Sequence, residues 1–88
     1  MIVRILGEGR YDVPDRDIPA IEQLDGELVQ ALERGDEAAF ATTLAKLLER
    51  VRTKGSLIPA DDVRTSELAV PHQDATLDEV RALLAEGA

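Results

Sequence analysis

Apolar and polar residues alternate at the start of the chain, in two short runs, Ile2-Val3-Arg4-Ile5-Leu6 and Arg10-Tyr11-Asp12-Val13, separated by Gly7-Glu8-Gly9. A period of two belongs to a strand, and glycine supplies the positive φ that a tight turn needs, so the segment predicts a β-hairpin. With Gly7-Glu8-Gly9 as the loop, Leu6 faces Arg10, Ile5 faces Tyr11, Arg4 faces Asp12 and Val3 faces Val13. That register puts an apolar quartet on one side and an ion pair on the other. Pro14, which has no N–H for the ladder, ends the second strand. A lone hairpin is marginal in water, so Val3, Ile5, Tyr11 and Val13 need a cover. Leu68-Ala69-Val70, closed by Pro71, is the best-placed third strand and Leu57-Ile58 the next, while an open edge could also pair with another molecule.

From Ile18 the apolar period lengthens to about 3.6, with Ile18, Ile21, Leu24, Leu28 and Leu32 in one stripe and Val29 beside it. This predicts an amphipathic helix with Pro19 in its first turn, Asp15 and Asp17 at its positive end, and Gly35 as a left-handed cap. Gly26 interrupts the pattern at a cost of about 1 kcal/mol against Ala unless close packing requires it. Asp36 reads as the N-cap of a second helix whose stripe is Phe40, Leu44, Leu47, Leu48 and Val51. Arg50, Arg52 and Lys54 suit its negative end before Gly55. A join as short as Gly35-Asp36 folds the two helices back antiparallel. Beyond an irregular stretch, Thr76-Leu77-Asp78-Glu79 reads as a capping box opening a short helix that buries Leu77, Val80, Leu83 and Leu84.

These elements predict one α+β domain over residues 1–88. It is an N-terminal β-hairpin, with room for a third short strand, packed with an antiparallel helical hairpin and a short C-terminal helix. Phe40 and Tyr11 are the only aromatic residues, so the core is aliphatic. The absence of Cys excludes a disulfide framework and a thiol nucleophile and fits a reducing compartment, with the cytoplasm expected. Arg4 and Gly7-Glu8-Gly9 break up the opening apolar run, unlike a secretory signal, and no apolar run approaches the roughly 20 residues of a membrane-spanning helix. The net charge of -8 opposes nucleic-acid phosphates and anionic lipid, so neither direct nucleic-acid binding nor membrane insertion is expected.

Few residues suit catalysis. Gly7-x-Gly9 resembles the start of a dinucleotide fingerprint, but Asp12 stands at the third glycine position and no helix follows to meet a phosphate. His72 is the sole imidazole, and one His without Cys makes no ordinary zinc site. Asp61-Asp62 and Asp15-x-Asp17 read as caps and solvated acids ahead of metal ligands or an acid/base pair. Neither Ser56 nor Ser66 lies in a nucleophile elbow, and Ser66 lacks the Asp-Ser-Leu context of a carrier-protein attachment site. No catalytic residue, cofactor or metal site is expected.

The opening Met1-Ile2-Val3-Arg4-Ile5-Leu6-Gly7-Glu8-Gly9-Arg10-Tyr11-Asp12-Val13-Pro14, the join Gly35-Asp36-Glu37-Ala38-Ala39-Phe40 and the end Asp74-Ala75-Thr76-Leu77-Asp78-Glu79-Val80-Arg81-Ala82-Leu83-Leu84 together resemble the PspA-associated PspAA-type small proteins. The resemblance implies a bacterial cytoplasmic accessory of the phage-shock envelope-stress system, associated with the PspA coiled-coil protein at the inner membrane. It carries over no catalytic residue. An acidic domain with an open hairpin edge and an aliphatic helical hairpin could dock on a basic helical partner, a long helix lying against the Ile21/Leu28 or Leu44/Val51 shoulder through spaced apolar anchors. Arg4, Tyr11 and Asp12 on the hairpin and Glu22, Glu33 and Glu37 on the helical pair are the first surface positions to test, because substitutions there should spare the core. The competing reading is a self-associating module, a homodimer linked to PspA only indirectly.

Overall fold

The computed structural model describes residues 1–87, with side chains described through Leu84. The hairpin pairs β1 (Ile2–Ile5) with β2 (Gly9–Asp12). Its loop is Leu6-Gly7-Glu8: Gly7 takes φ 79°, and the Glu8 amide donates to the Ile5 carbonyl at 3.0 Å. The register is therefore Ile2↔Asp12, Val3↔Tyr11, Arg4↔Arg10 and Ile5↔Gly9, two residues from the one expected for a Gly7-Glu8-Gly9 loop. This glycine-rich stretch accommodates a three-residue loop in either frame. The observed frame extends the ladder to the chain start, where the Val13 amide donates to the Met1 carbonyl at 2.8 Å and the Met1 ammonium to the Val13 carbonyl at 2.8 Å. A slip of two keeps every side chain on its expected face. It does remove the expected pairing of Arg4 with Asp12, which instead lies 3.8 Å from the N-terminal ammonium and 3.4 Å from Arg64.

Both candidate additional strands form. β3 (Ser56–Ile58) runs antiparallel to β2, and β4 (Leu68–Val70) runs parallel to β1 with Val3↔Leu68, Arg4↔Ala69 and Ile5↔Val70. The sheet order is β3-β2-β1-β4, so each short strand covers one edge of the hairpin.

A 3₁₀ turn, Asp15–Asp17, leads into α1 (Ile18–Arg34), with Pro19 in its first turn. α1 ends on Gly35 at φ 69°, ψ 28°. The Gly35 amide donates to Leu32 O at 3.2 Å and the Asp36 amide to Ala31 O at 3.0 Å, a Schellman motif that uses the orphan carbonyls and turns the chain at once. Asp36 then caps α2 (Glu37–Lys54), its carboxylate accepting from the Ala39 amide at 3.0 Å. α3 (Leu77–Gly87) opens with Thr76 Oγ1 accepting from the Glu79 amide at 3.1 Å. The core joins Val3, Ile5, Val13 and Val70 from the sheet side to Ile21, Leu28 and Ala31 of α1, the five-residue stripe of α2, and Leu77. The Ile21/Leu28 and Leu44/Val51 shoulders expected to meet a partner are therefore a correction: all four side chains are buried, because the two stripes close on each other and on the sheet. Leu83 and Leu84 are a correction: they are 57% and 59% exposed. Their stripe is intact, but α3 reaches the body through Leu77 and half-buried Val80, and its next turn has no element above it.

Gly55 joins α2 to β3 where the two layers touch. A Cβ there would lie 2.6 Å from the Val51 carbonyl oxygen and 2.9 Å from the Tyr11 Cβ. Gly26, in the middle of α1, has nothing within 4 Å of an added Cβ, so the packing does not require glycine at that position.

The sheet's outer face carries Ile2 and Ile58, both buried beneath the connection from β3 to β4. Arg10 holds this strap. Its guanidinium donates to the Asp62 carbonyl at 2.7 Å, to the Pro59 carbonyl at 3.2 Å and to the Arg64 carbonyl, and the Glu67 amide closes it on Ile2 O at 2.8 Å.

Candidate functional site

The helical stripe that buries Leu28 also turns Asp25, Val29 and Leu32 toward one side of α1. There they meet Glu79, Val80, Leu83 and Leu84 of α3 and the ends of β1 and β4, leaving an apolar groove of about 250 Å³. Its floor is Leu28, Phe40 and Val70, and its far wall runs from Leu6 through Ala69, Pro71 and His72. Leu6, Val29, Leu83 and Leu84 are the exposed walls, and they are most of the exposed large apolar side chains among the described residues; Leu57 and Val63 lie elsewhere. Leaving several large apolar side chains around one concavity is unfavourable in water, and such clustering marks an interaction surface.

The groove is acidic. Asp25 and Glu79 line it and no Lys or Arg does. Burial pushes the Asp25 carboxyl above its ordinary range, because the apolar walls remove water that would solvate the charge. His72 Nε2 lies 3.9 Å from Glu79, and its Nδ1 accepts from the Asp74 amide at 3.2 Å. Arg81 fixes α3 against α1 by donating to Leu32 O from Nη2 at 2.8 Å and from Nε at 3.2 Å, a cation on the negative helix end.

The six surface residues named from sequence occupy different faces. Arg4 is exposed on the outer face of the sheet, where its cross-strand neighbour is Arg10. Asp12 lies on that face in its contacts with Arg64 and the N-terminal ammonium. Tyr11 faces the helices, and its hydroxyl donates to Glu8 Oε2 at 2.8 Å. Glu8 in turn accepts from Arg52 at both oxygens, with Nε at 2.9 Å. This network ties the hairpin turn to the end of α2. The hydrogen bonds from Arg52 and Tyr11 hold the Glu8 carboxyl below its usual range, and the bond to Glu8 pushes the Tyr11 hydroxyl up.

Glu22 and Glu33 are exposed. They are eleven residues apart, about 16 Å and three turns along α1, on the same side as Val29. Glu37 opens α2 beside the start of α3. Glu22 and Glu33 thus share the Val29 side of α1 without lining the groove, whereas Arg4, Asp12 and Tyr11 lie elsewhere. The groove itself was not assembled from sequence: its signal was Val29 beside the first stripe and the doubled Leu83-Leu84, both of which a pattern assigns to the core.

Of the residues weighed for chemistry, His72 and Asp62 have structural partners. Asp62 accepts from the Arg64 guanidinium at 3.0 Å and from the Arg64 amide at 2.9 Å, which stiffens the strap and holds the Asp62 carboxyl below its usual range. Among the described residues no three His, Cys, Asp or Glu side chains converge as a metal site, and no helix is long and apolar enough to cross a membrane.

The family model described as PspA-associated protein matches residues 1–88, the whole chain. No curated protein and no solved structure matches it.

Proposed function

The chain belongs to the PspA-associated protein family, and on that premise we propose that it is a non-enzymatic adaptor of the PspA-type envelope-stress response. It acts in the cytoplasm by direct contact with a PspA-like coiled-coil protein. The family match over the full chain carries this reading, and the physical character of the surface supports it. A net charge of -8 favours encounter with a basic partner and discourages binding to nucleic acid or anionic lipid. The clustered exposed apolar residues give such an encounter something to bury.

Co-purification tests the reading. The tagged chain, expressed in its own cell, should recover the PspA-like protein at low and at moderate salt. Recovery of none at either salt contradicts the adaptor role. Self-association is the competing reading, and light scattering over a dilution series separates the two: the adaptor is a monomer that gains mass only with its partner.

A further inference from the structure

We propose that the groove between α1, α3 and the Leu6/Val70 end of the sheet receives the apolar face of an amphipathic helix whose flanking residues are Lys and Arg. The identity of the helix as part of a PspA-like protein rests on the reading above; the chemistry of the site does not.

Three observations converge on this occupant. The groove lies between two helices, with exposed apolar walls at Val29 on one side and at Leu83 and Leu84 on the other, and apolar walls carried by two helices suit side chains spaced i, i+3/i+4, i+7 on a docked helix. Its charged lining among the described residues is Asp25 and Glu79, without Lys or Arg; the nearby Arg81 is engaged on Leu32 O, and helix geometry places Glu22 and Glu33 on the Val29 side of α1. An acidic helix would bring like charges together in a partly desolvated space, whereas Lys and Arg can lay their apolar stems on the walls and place their charges on the rim. Finally, Asp25 lines the apolar site, where desolvation penalises its charged form. A cation beside it would relieve that penalty, so the charge complementarity lies inside the apolar site as well as around it.

The test uses the full chain, ¹⁵N-labelled, and a synthetic Leu/Lys amphipathic peptide of roughly 18 residues, five helical turns, at physiological salt. A Leu/Glu peptide of the same spacing is the comparison. The Leu/Lys peptide should shift the amides of Val29, Ala69 and Leu83 and gain helicity. The Leu83→Gln/Leu84→Gln chain, and separately Val29→Gln, should bind it about tenfold more weakly, a difference of about 1.4 kcal/mol. Leu57→Thr and Val63→Gln, exposed positions outside the groove, should bind as the parent does.

Shifts confined to another face, equal binding of the Leu/Glu peptide, or unchanged binding by the groove variants would overturn the proposal. So would groove shifts that appear on concentrating the chain alone, which would mean a second copy occupies the site. The same variants mixed with the PspA-like protein separate the two readings. Binding that survives the groove variants sinks the groove and leaves the adaptor role, and peptide binding without PspA binding does the reverse.

Discussion

Gly55→Ala should destabilise this fold, whereas the chemically identical Gly26→Ala should stabilise it. At Gly55, φ is -90° and ψ 160°, which alanine adopts without strain, so the penalty is one of space. The new Cβ would lie 2.9 Å from the Tyr11 Cβ and 2.6 Å from Val51 O. Neither neighbour is the end of a flexible side chain, so β2 or the last turn of α2 has to move. Regaining the roughly 3.5 Å at which carbon contacts become attractive requires a retreat of about 0.6 Å from Tyr11 alone. Overpacking of this kind costs about 1–3 kcal/mol, offset by about 0.4–1 kcal/mol because alanine restricts the unfolded chain. At the middle of both ranges the net loss is about 1.3 kcal/mol, a fall in Tm of about 5–10 °C for a chain of this size. At Gly26 the space is open, so only the helix-propensity gain of about 0.5–1 kcal/mol remains, a rise of about 2–8 °C. Differential scanning calorimetry on the parent and both variants reads the two shifts. A Gly55→Ala chain as stable as the parent, or a Gly26→Ala chain less stable, refutes the packing argument.

Other consequences follow from the polar groups. Asp25→Asn should raise Tm at neutral pH. The folded-state pKa of Asp25 lies above its unfolded value, so its charge opposes folding when the pH exceeds both, and the advantage of the variant should vanish as pH falls through the carboxylate range; an advantage that grows on acidification would contradict the sign. Glu8→Gln should behave oppositely, costing about 0.5–1 kcal/mol at neutral pH. The Glu8 pKa is lowered by Arg52 and Tyr11, so its contribution is present above the ordinary Glu range and lost below it, which urea titrations at several pH values would trace. Arg81→Ala should loosen α3 by about 0.5–1 kcal/mol, seen as faster amide exchange in residues 77–84 with α2 unchanged.

Much of this architecture is legible in the residues because local chemistry and tertiary packing agree. Gly35, Asp36 and Thr76 specify their caps without reference to the rest of the molecule, and the stripes of α1 and α2 have little to face except each other and the sheet. The hairpin's faces were likewise determined by its period of two. Its register was not, because Gly7-Glu8-Gly9 supports a three-residue loop in two frames, and the choice depends on the Met1–Val13 pairing at the far end. β3 and β4 each have three residues, too few for a period to be read, and which edge each takes depends on contacts distant in sequence. Leu83 and Leu84 carry a core-like pattern whose exposure is set by where α3 docks. For the same reason the groove was invisible: its apolar walls are residues that each look like core, left uncovered by the arrangement of elements, and Asp25, His72 and Glu79 join them only in the fold.

The most direct measurement is isothermal titration of the purified chain into the purified PspA-like protein of the same cell, repeated over a salt series. The account predicts a saturable complex that weakens as salt rises, with a negative heat-capacity change from apolar burial. Absence of binding heat at every temperature and salt concentration, with both proteins folded, would contradict it.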